Sequence, residues 1–367
     1  MEDKVDILLT TYNTKIEYLK QQLDSILNQT HKNFKLIISD DCSPNEEVRT
    51  VLEEYKQKDN RIELYFQSQN LGYTKNFEFV LTKSTSDYIA FSDHDDIWYP
   101  NKIEEELKTL KEKNVDLVYC DAKQIDENGK VLQESYLRYK HMPILNENYN
   151  KQILPFARHI AIGCSQLFTK RVKELMIPFT KNTMAHDWHS LYIASRLNGI
   201  YCIDKPLFEY RLHRSNAFGG RSFKQNLQIW KKENGNNFKS YLEYRHKAIT
   251  GTYLAGVLMC QNYSDKVTKY KKKLENQLKT EKESNKQYAI DNKTKNIALN
   301  KLQEKQLLKT QKKVIKYFKK AQKAKILYWP IHKYYKYMYF KNIKSRKYKE
   351  IILLHFPILG YFVFKIG

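Results

Sequence analysis

Four short apolar runs, Val5–Leu9, Phe34–Ile38, Ile62–Phe66 and Tyr88–Phe91, alternate with stretches of helical periodicity. In the first such stretch Leu19, Leu23, Ile26 and Leu27 recur at helical spacing, with Gln21, Gln22, Asp24 and Asn28 between them. Val48, Val51, Leu52 and Tyr55 repeat the pattern, and then Phe77, Val80 and Leu81. Strands that alternate with helices return parallel through covering helices. The expectation is an α/β fold, a Rossmann-like and mostly parallel sheet with helices on both faces.

Ligands of such sheets lie beyond the carboxyl ends of the strands. Here those ends read Thr10-Thr11-Tyr12-Asn13, Asp40-Asp41, and Asp93-His94-Asp95-Asp96, the last closed by Trp98 and Pro100. Carboxylates crowded at the mouth of a buried strand repel one another unless a cation sits among them. A divalent ion with oxygen ligands, Mn²⁺ or Mg²⁺, answers that requirement. A solvated turn capping the next helix through Asp93 or Asp96 is the plainer alternative. One of Asp40 and Asp41 is expected to serve only as an Asx-turn or cap with Ser43 and Pro44. The chain has no GxxxxGK[ST] and no GxGxxG after its first strand, which excludes a P-loop and a dinucleotide fingerprint.

The net charge of +23 is uneven: residues 261–367 hold 28 Lys+Arg against 7 Asp+Glu. The remainder is nearly neutral, so the basicity belongs to the tail and not to the sheet. Cys42, Cys120, Cys164, Cys202 and Cys260 lie far apart without a CxxC, which reads as reduced thiols in the cytoplasm. Met1-Glu2-Asp3-Lys4 runs straight into a strand and does not read as a signal peptide.

Five motifs, in order, are T-T-Y-N (Thr10–Asn13), S-I-L-N-Q-T (Ser25–Thr30), I-S-D-D-C-S (Ile38–Ser43), N-L-G (Asn70–Gly72) and S-D-H-D-D-I-W (Ser92–Trp98). The set resembles family-2 glycosyltransferases of the GT-A fold over roughly residues 4–220. The wording D-x-D-D-I-W-x-P-x-K-I-E from Asp93 to Glu104 resembles bacterial rhamnosyltransferases that build surface polysaccharides. The resemblance implies that Thr10 and Tyr12, with Asn13 beside them, line a nucleobase pocket. It implies that Asp41 accepts from the base N3–H, which favours uracil or thymine. Asp93 would meet the ribose and the metal shell, and Asp95 would hold the metal. Tyr12 is equally open to plain core packing. Lys75, in the loop after Asn70, is a candidate second cation for the nucleotide, or a surface lysine.

Val115–Cys120 reads as another buried strand, followed by a hairpin signal at Asn128-Gly129. Residues 136–158 show no clear period and read as an acceptor-side insertion. Ile160–Phe168 is apolar and interrupted by Gly163, placed there for close backbone approach or for a bulge. Asp187 precedes the helical spacing of Leu191, Ile193, Ala194 and Leu197. It reads as a helix N-cap or, by the resemblance, as the general base of an inverting transfer. His186 stands where the family more often has an acid. Gly199–Glu209 reads as a returning strand ending in Tyr210-Arg211-Leu212-His213. There the resemblance implies that His213 completes the metal shell and that Arg211 touches the diphosphate. Phe218-Gly219-Gly220 has the composition of a hinge.

Residues 221–260 read as helices packing on a catalytic domain of residues 1–220. Residues 261–367 read as a Lys-rich amphipathic helical tail. Its last apolar run has 14 residues and contains His355 and Pro357, short of the ~20 that a spanning helix needs. Aromatics interleaved with lysines suit an anionic membrane surface. RNA binding through the same residues is the weaker alternative, and a homo-oligomer through the coiled part stays open.

The reading is therefore a metal-dependent, inverting glycosyltransferase at the inner face of the cell membrane. It would move a sugar, rhamnose by the finer resemblance, from a dTDP- or UDP-sugar to a polyprenyl-linked glycan. No nucleic acid is expected as a partner. The rival enzyme, a sugar-1-phosphate nucleotidylyltransferase, needs a Gly-rich basic loop that Thr10–Ile16 does not supply.

Overall fold

The computed structural model describes residues 3–140, 142, 144–146, 160–179, 185–213, 263, 266–274 and 276. The chain divides into two units, Met1–Gly220 and Arg221–Gly367. The expectations for residues 147–159, for the hinge at 218–220, for the helices over 221–260 and for the tail beyond 276 lie outside the described residues. No helix among the described residues is long and apolar enough to cross a membrane.

The first unit begins with β1 (Val5–Thr11), β2 (Phe34–Asp40), β3 (Ile62–Phe66) and β4 (Tyr88–Ser92). They are joined by α1 (Ile16–Leu27), α2 (Glu46–Lys58) and α3 (Tyr73–Lys83). The four strands lie parallel in the order β3-β2-β1-β4, with Val5 of β1 facing Phe34 on one side and Tyr88 on the other. Every residue of β1 is buried, which is why it reads as a nearly unbroken apolar run. Its one acid, Asp6, accepts from the Thr85 and Ser86 N–H groups at 2.7 and 2.9 Å and from Ser86 Oγ at 2.7 Å. The buried charge is thus fully hydrogen-bonded by the turn that opens β4. The chain steps outward from β1 to β3 and then crosses back to β4. Right-handed crossovers therefore place α1 and α2 on one face and α3 on the other.

The second half adds β5 (Ile97–Trp98), α4 (Lys102–Glu112), β6 (Leu117–Ile125), β7 (Val131–Gln133), α5 (Tyr136–Tyr139), β8 (Gln166–Thr169), α6 (Lys170–Met176), α7 (His186–Arg196) and β9 (Ile200–Arg211). The sheet order continues β4-β8-β6-β9-β5, with β7 paired to β6. β8 runs antiparallel to both β4 and β6, whereas β9 is parallel to β6. The sheet is mostly parallel, as expected, and β8 is an antiparallel strand set between β4 and β6. The Asn128-Gly129 signal is a hairpin between β6 and β7, with Gly129 at φ 83°. Lys102 and Glu106, one turn apart on α4, are wholly buried as an ion pair of 2.8 Å, with the ammonium 4.2 Å from the Trp98 ring.

Candidate active site

Strand order reverses at β1, and the carboxyl ends of β1, β2 and β4 open a crevice there. The two acids that end β2 take different roles. Asp40 accepts from Thr11 Oγ1 at 2.7 Å, the Ser43 N–H at 2.8 Å and Ser43 Oγ at 2.6 Å, so it is the turn-forming residue of the pair. Asp41 accepts from the Leu71 and Gly72 N–H groups at 2.7 and 2.9 Å. Burial pushes its carboxyl above the ordinary range, and those two N–H groups oppose the rise. Asp41 therefore ties the N-L-G loop to β2, and Gly72 meets it at φ 81°, a conformation that favours glycine.

Tyr12 is 49% exposed, which removes core packing as its explanation. Asn13 and Cys42, at the ends of β1 and β2, both adopt positive φ (47° and 61°), an uncommon backbone state for such residues. The Asn13 N–H donates to Ser43 Oγ at 2.8 Å, and the Thr10 carbonyl lies 3.1 Å from His94 Nδ1. Thr10, Tyr12, Asn13 and Asp41 thus lie together at the carboxyl ends of β1 and β2. Lys75 is exposed on the first turn of α3, just after Gly72.

The acidic loop closes the crevice from β4. Burial and then the Asp95 charge push the Asp93 carboxyl up to about 6. Burial would also raise Asp95, but His94 and His213 outweigh it and hold that carboxyl below the usual range. His213 Nε2 lies 2.7 Å from Asp95 Oδ2. Asp96 is wholly buried, and burial with its two acidic neighbours pushes it well above the ordinary value. Its Oδ1 accepts the Arg211 N–H at 3.1 Å, and the Cys164 thiol hydrogen-bonds the Asp96 and Asp93 carboxyls. Ligand atoms of Asp93, Asp96 and Cys164 lie within 4.8 Å of one another. Mutual repulsion among buried carboxylates and an oxygen-rich donor set both fit a divalent cation.

Arg211 departs from the expected diphosphate contact. It is buried, its Nε donates to the Asp95 carbonyl at 2.9 Å, and its guanidinium lies 4.4 Å from the Tyr18 ring centroid. The residue supports the acidic loop from beneath. Arg211 is the last residue of β9 and is buried, and His213, two residues beyond it, lies beside Asp95.

Asp187 approaches from α7. The N-cap of that helix is Ala185, without a side-chain cap bond, so Asp187 is inside the first turn and is not the cap. Its charge is felt at Asp93, whose carboxyl it helps to raise. His186 turns the other way, stacked on Phe77 at 3.7 Å and edge-on to Phe91 at 4.6 Å between centroids. A Cβ on Gly163 would lie 2.5 Å from His186 Nε2, so Gly163 is required for close approach. Gly163→Ala should destabilise the protein by about 1–3 kcal/mol through overpacking. Thermal unfolding checks this, and an unchanged melting temperature would show that the ring moves aside freely.

Residues 6–175 match the profile of Glycosyl transferase family 2. Those residues form a glycosyltransferase family 2 domain. An uncharacterized glycosyltransferase of Methanocaldococcus jannaschii is 28% identical over 275 residues, 70% of this chain and 92% of that one. The putative teichuronic acid biosynthesis glycosyltransferase TuaG of Bacillus subtilis is 25% identical over 62% of this chain and 85% of its own. The glucosyltransferase WfgD of Escherichia coli is 26% identical over 62% of this chain and 83% of its own. The chain spans only 29–33% of several rickettsial relatives.

Asp96 is one of the crowded acids of the D-H-D-D run, and the fold adds that it is wholly buried. One feature of this glycosyltransferase escapes its motifs. Cys164 sits in an apolar segment and reads as core until β8 brings it against Asp93 and Asp96. Among the described residues the cysteines are free thiols.

Proposed function

We propose that this glycosyltransferase moves a sugar from a uridine or thymidine diphosphate sugar to a hydroxyl of a lipid-linked surface-polysaccharide intermediate, with inversion. The observation that carries the reading is the acidic loop with Asp187 near enough on α7 for its charge to raise the Asp93 carboxyl. One carboxylate cluster suits the charged donor, and a separate carboxylate suits the acceptor. The acceptor class is supported by WfgD, whose name gives UDP-glucose as donor and an N-acetylglucosamine diphosphoundecaprenol as acceptor. TuaG adds a link to a cell-surface polymer.

In this reading Tyr12 packs against the base, and Asp41 accepts its N3–H with the lone pairs that Leu71 and Gly72 leave. Asp93 and Asp95, with His213, would hold Mn²⁺ or Mg²⁺, which when bound offsets the charge of the leaving diphosphate. Lys75 lies over the phosphates from α3. Asp187 takes the proton of the acceptor hydroxyl as that oxygen attacks the anomeric carbon from the face opposite the diphosphate. Water is limited at Asp187 because the side chain is buried at the start of α7. The basic tail holds the enzyme at an anionic membrane surface, where a polyprenyl-linked acceptor resides.

Calorimetry with UDP, dTDP, GDP and CDP, with and without Mn²⁺, tests the donor half. The expected result is cation-dependent binding of UDP or dTDP in preference to GDP and CDP, followed by turnover of a matching sugar nucleotide, dTDP-rhamnose among those assayed. Equal binding of all four, or of none, would remove the assigned role of Asp41.

A further inference from the structure

The S-I-L-N-Q-T motif touches none of the crevice residues, yet it belongs with them physically. Gln22, Ser25 and Gln29 recur at spacings of three and four, so they share one edge of α1 and its continuation. Gln22 and Gln29 are both 0% exposed, which is unusual for glutamine and demands partners. Apart from a bond within the segment, Gln29 Nε2 to the Ser25 carbonyl at 3.1 Å, those partners lie between Ser92 and Ile103. The Gln22 amide, oriented to satisfy its neighbours, donates to the Asp96 carbonyl and accepts from Ser92 Oγ at 2.8 Å and Trp98 Nε1 at 3.2 Å. Ser25 Oγ accepts the Trp98 N–H at 3.0 Å. Gln29 Nε2 donates to the Tyr99 carbonyl at 2.8 Å, and its Oε1 accepts the Ile103 N–H at 3.1 Å.

The last bond has a local cause. Asn101, the N-cap of α4, makes no side-chain cap bond, so the helix start leaves N–H groups without an internal partner. Gln29 caps the helix from another element. A bidentate amide suits this task because it offers a donor and an acceptor together, which neither a carboxylate nor an apolar side chain does. From the opposite side, Arg211 holds the Asp95 carbonyl and the Asp96 carboxylate. The acidic loop therefore lies between two sets of hydrogen bonds, each of which reaches its backbone. A loop whose carboxylates repel one another needs such a template to keep its shape.

We propose that Gln22, Ser25 and Gln29 are positioning residues, a template that fixes the backbone of residues 92–103 and so the placement of Asp93 and Asp95. The inference rests on the donor-transfer reading above. None of the three touches the donor. They act through the loop, and loosening them leaves carboxylates of the right identity in the wrong place.

The test uses the full chain with Gln29→Met, which keeps the side-chain volume and removes both hydrogen-bonding ends. Two changes are expected together. Amide hydrogen exchange should quicken in peptides covering 92–103 while β1 to β3 stay at wild-type rates. The donor KM should rise about tenfold or more, in keeping with the sensitivity of these reactions to ångström misplacement. KM is an intensive quantity, so a smaller folded fraction would leave it untouched. Uniform exchange across the domain, wild-type exchange in 92–103, or an unchanged KM each overturns the proposal. Ser25→Ala, which deletes one hydroxyl and with it a single bond to the loop, replaces Gln29→Met if that variant does not fold, and should show the same pattern at smaller amplitude. A wild-type chain that turns over no sugar nucleotide would overturn the donor-transfer reading instead, and the exchange result would still decide whether the template exists.

Discussion

Asp187→Asn should lower kcat by about 10²–10⁴-fold, the usual contribution of a general base, while donor affinity stays at the wild-type level. The substitution keeps the size of the side chain, so packing at the start of α7 is preserved and the lost property is proton acceptance. It also removes a negative charge that helps to raise Asp93, which favours donor binding slightly if it changes it at all. Single-turnover transfer to a soluble acceptor measures the chemical step, and calorimetry with the nucleotide measures binding. A variant that transfers at the wild-type rate would assign the proton to another group. A variant with lost donor binding would place Asp187 on the donor side.

The sheet was legible because its central strands are parallel and buried on both faces, which writes them as continuous apolar runs. The helices α1, α2 and α3 were legible for the complementary reason that one face is wet. β8 was harder to see. Gln166–Thr169 pairs antiparallel with a strand nearly eighty residues earlier, and nothing local in its sequence declares a direction. Polar residues inside the fold were the largest loss. Gln22 sits among residues that otherwise mark the wet side of α1, and only a partner on another element explains its burial. Lys102 and Glu106 would pass for a solvated pair by spacing alone.

Within the site, residue types were easier to read than directions. Asp40 and Asp41 are adjacent, identical and both acidic, and one caps a turn while the other faces the crevice edge. Their partners, Ser43 for one and the N-L-G loop for the other, separate them. Arg211 shows the same limit in a strand, where a one-residue alternation decides between phosphate and protein. His186 illustrates substitution of a role. The imidazole, stacked on Phe77 and edge-on to Phe91, belongs to the core.

Asp95→Asn is the sharpest probe of the cation site. A cation stabilising a leaving diphosphate contributes several kcal/mol to the barrier, so its loss should reduce cation-dependent turnover by about 10³-fold. Stability against pH gives a second, activity-free readout. Asp95 has a lowered carboxyl, so its contribution to stability is present above about pH 4 and is lost as pH falls through its folded value. Asp93 has the opposite sign: its carboxyl is raised to about 6, so its contribution is present below about pH 4 and is lost as pH rises through 6. Removing the Asp95 charge removes the second cause of that rise. Thermal melts without added metal should then show the variant losing less stability than wild type between about pH 4 and pH 6. Asp96→Asn separates the two arrangements of ligands that the loop allows. If Asp95 with Asp93 and His213 holds the cation, Asp95→Asn should abolish Mn²⁺ binding and Asp96→Asn should spare it. The reverse pattern would move the cation to the buried set of Asp93, Asp96 and Cys164, and would make Asp95 and His213 a supporting ion pair.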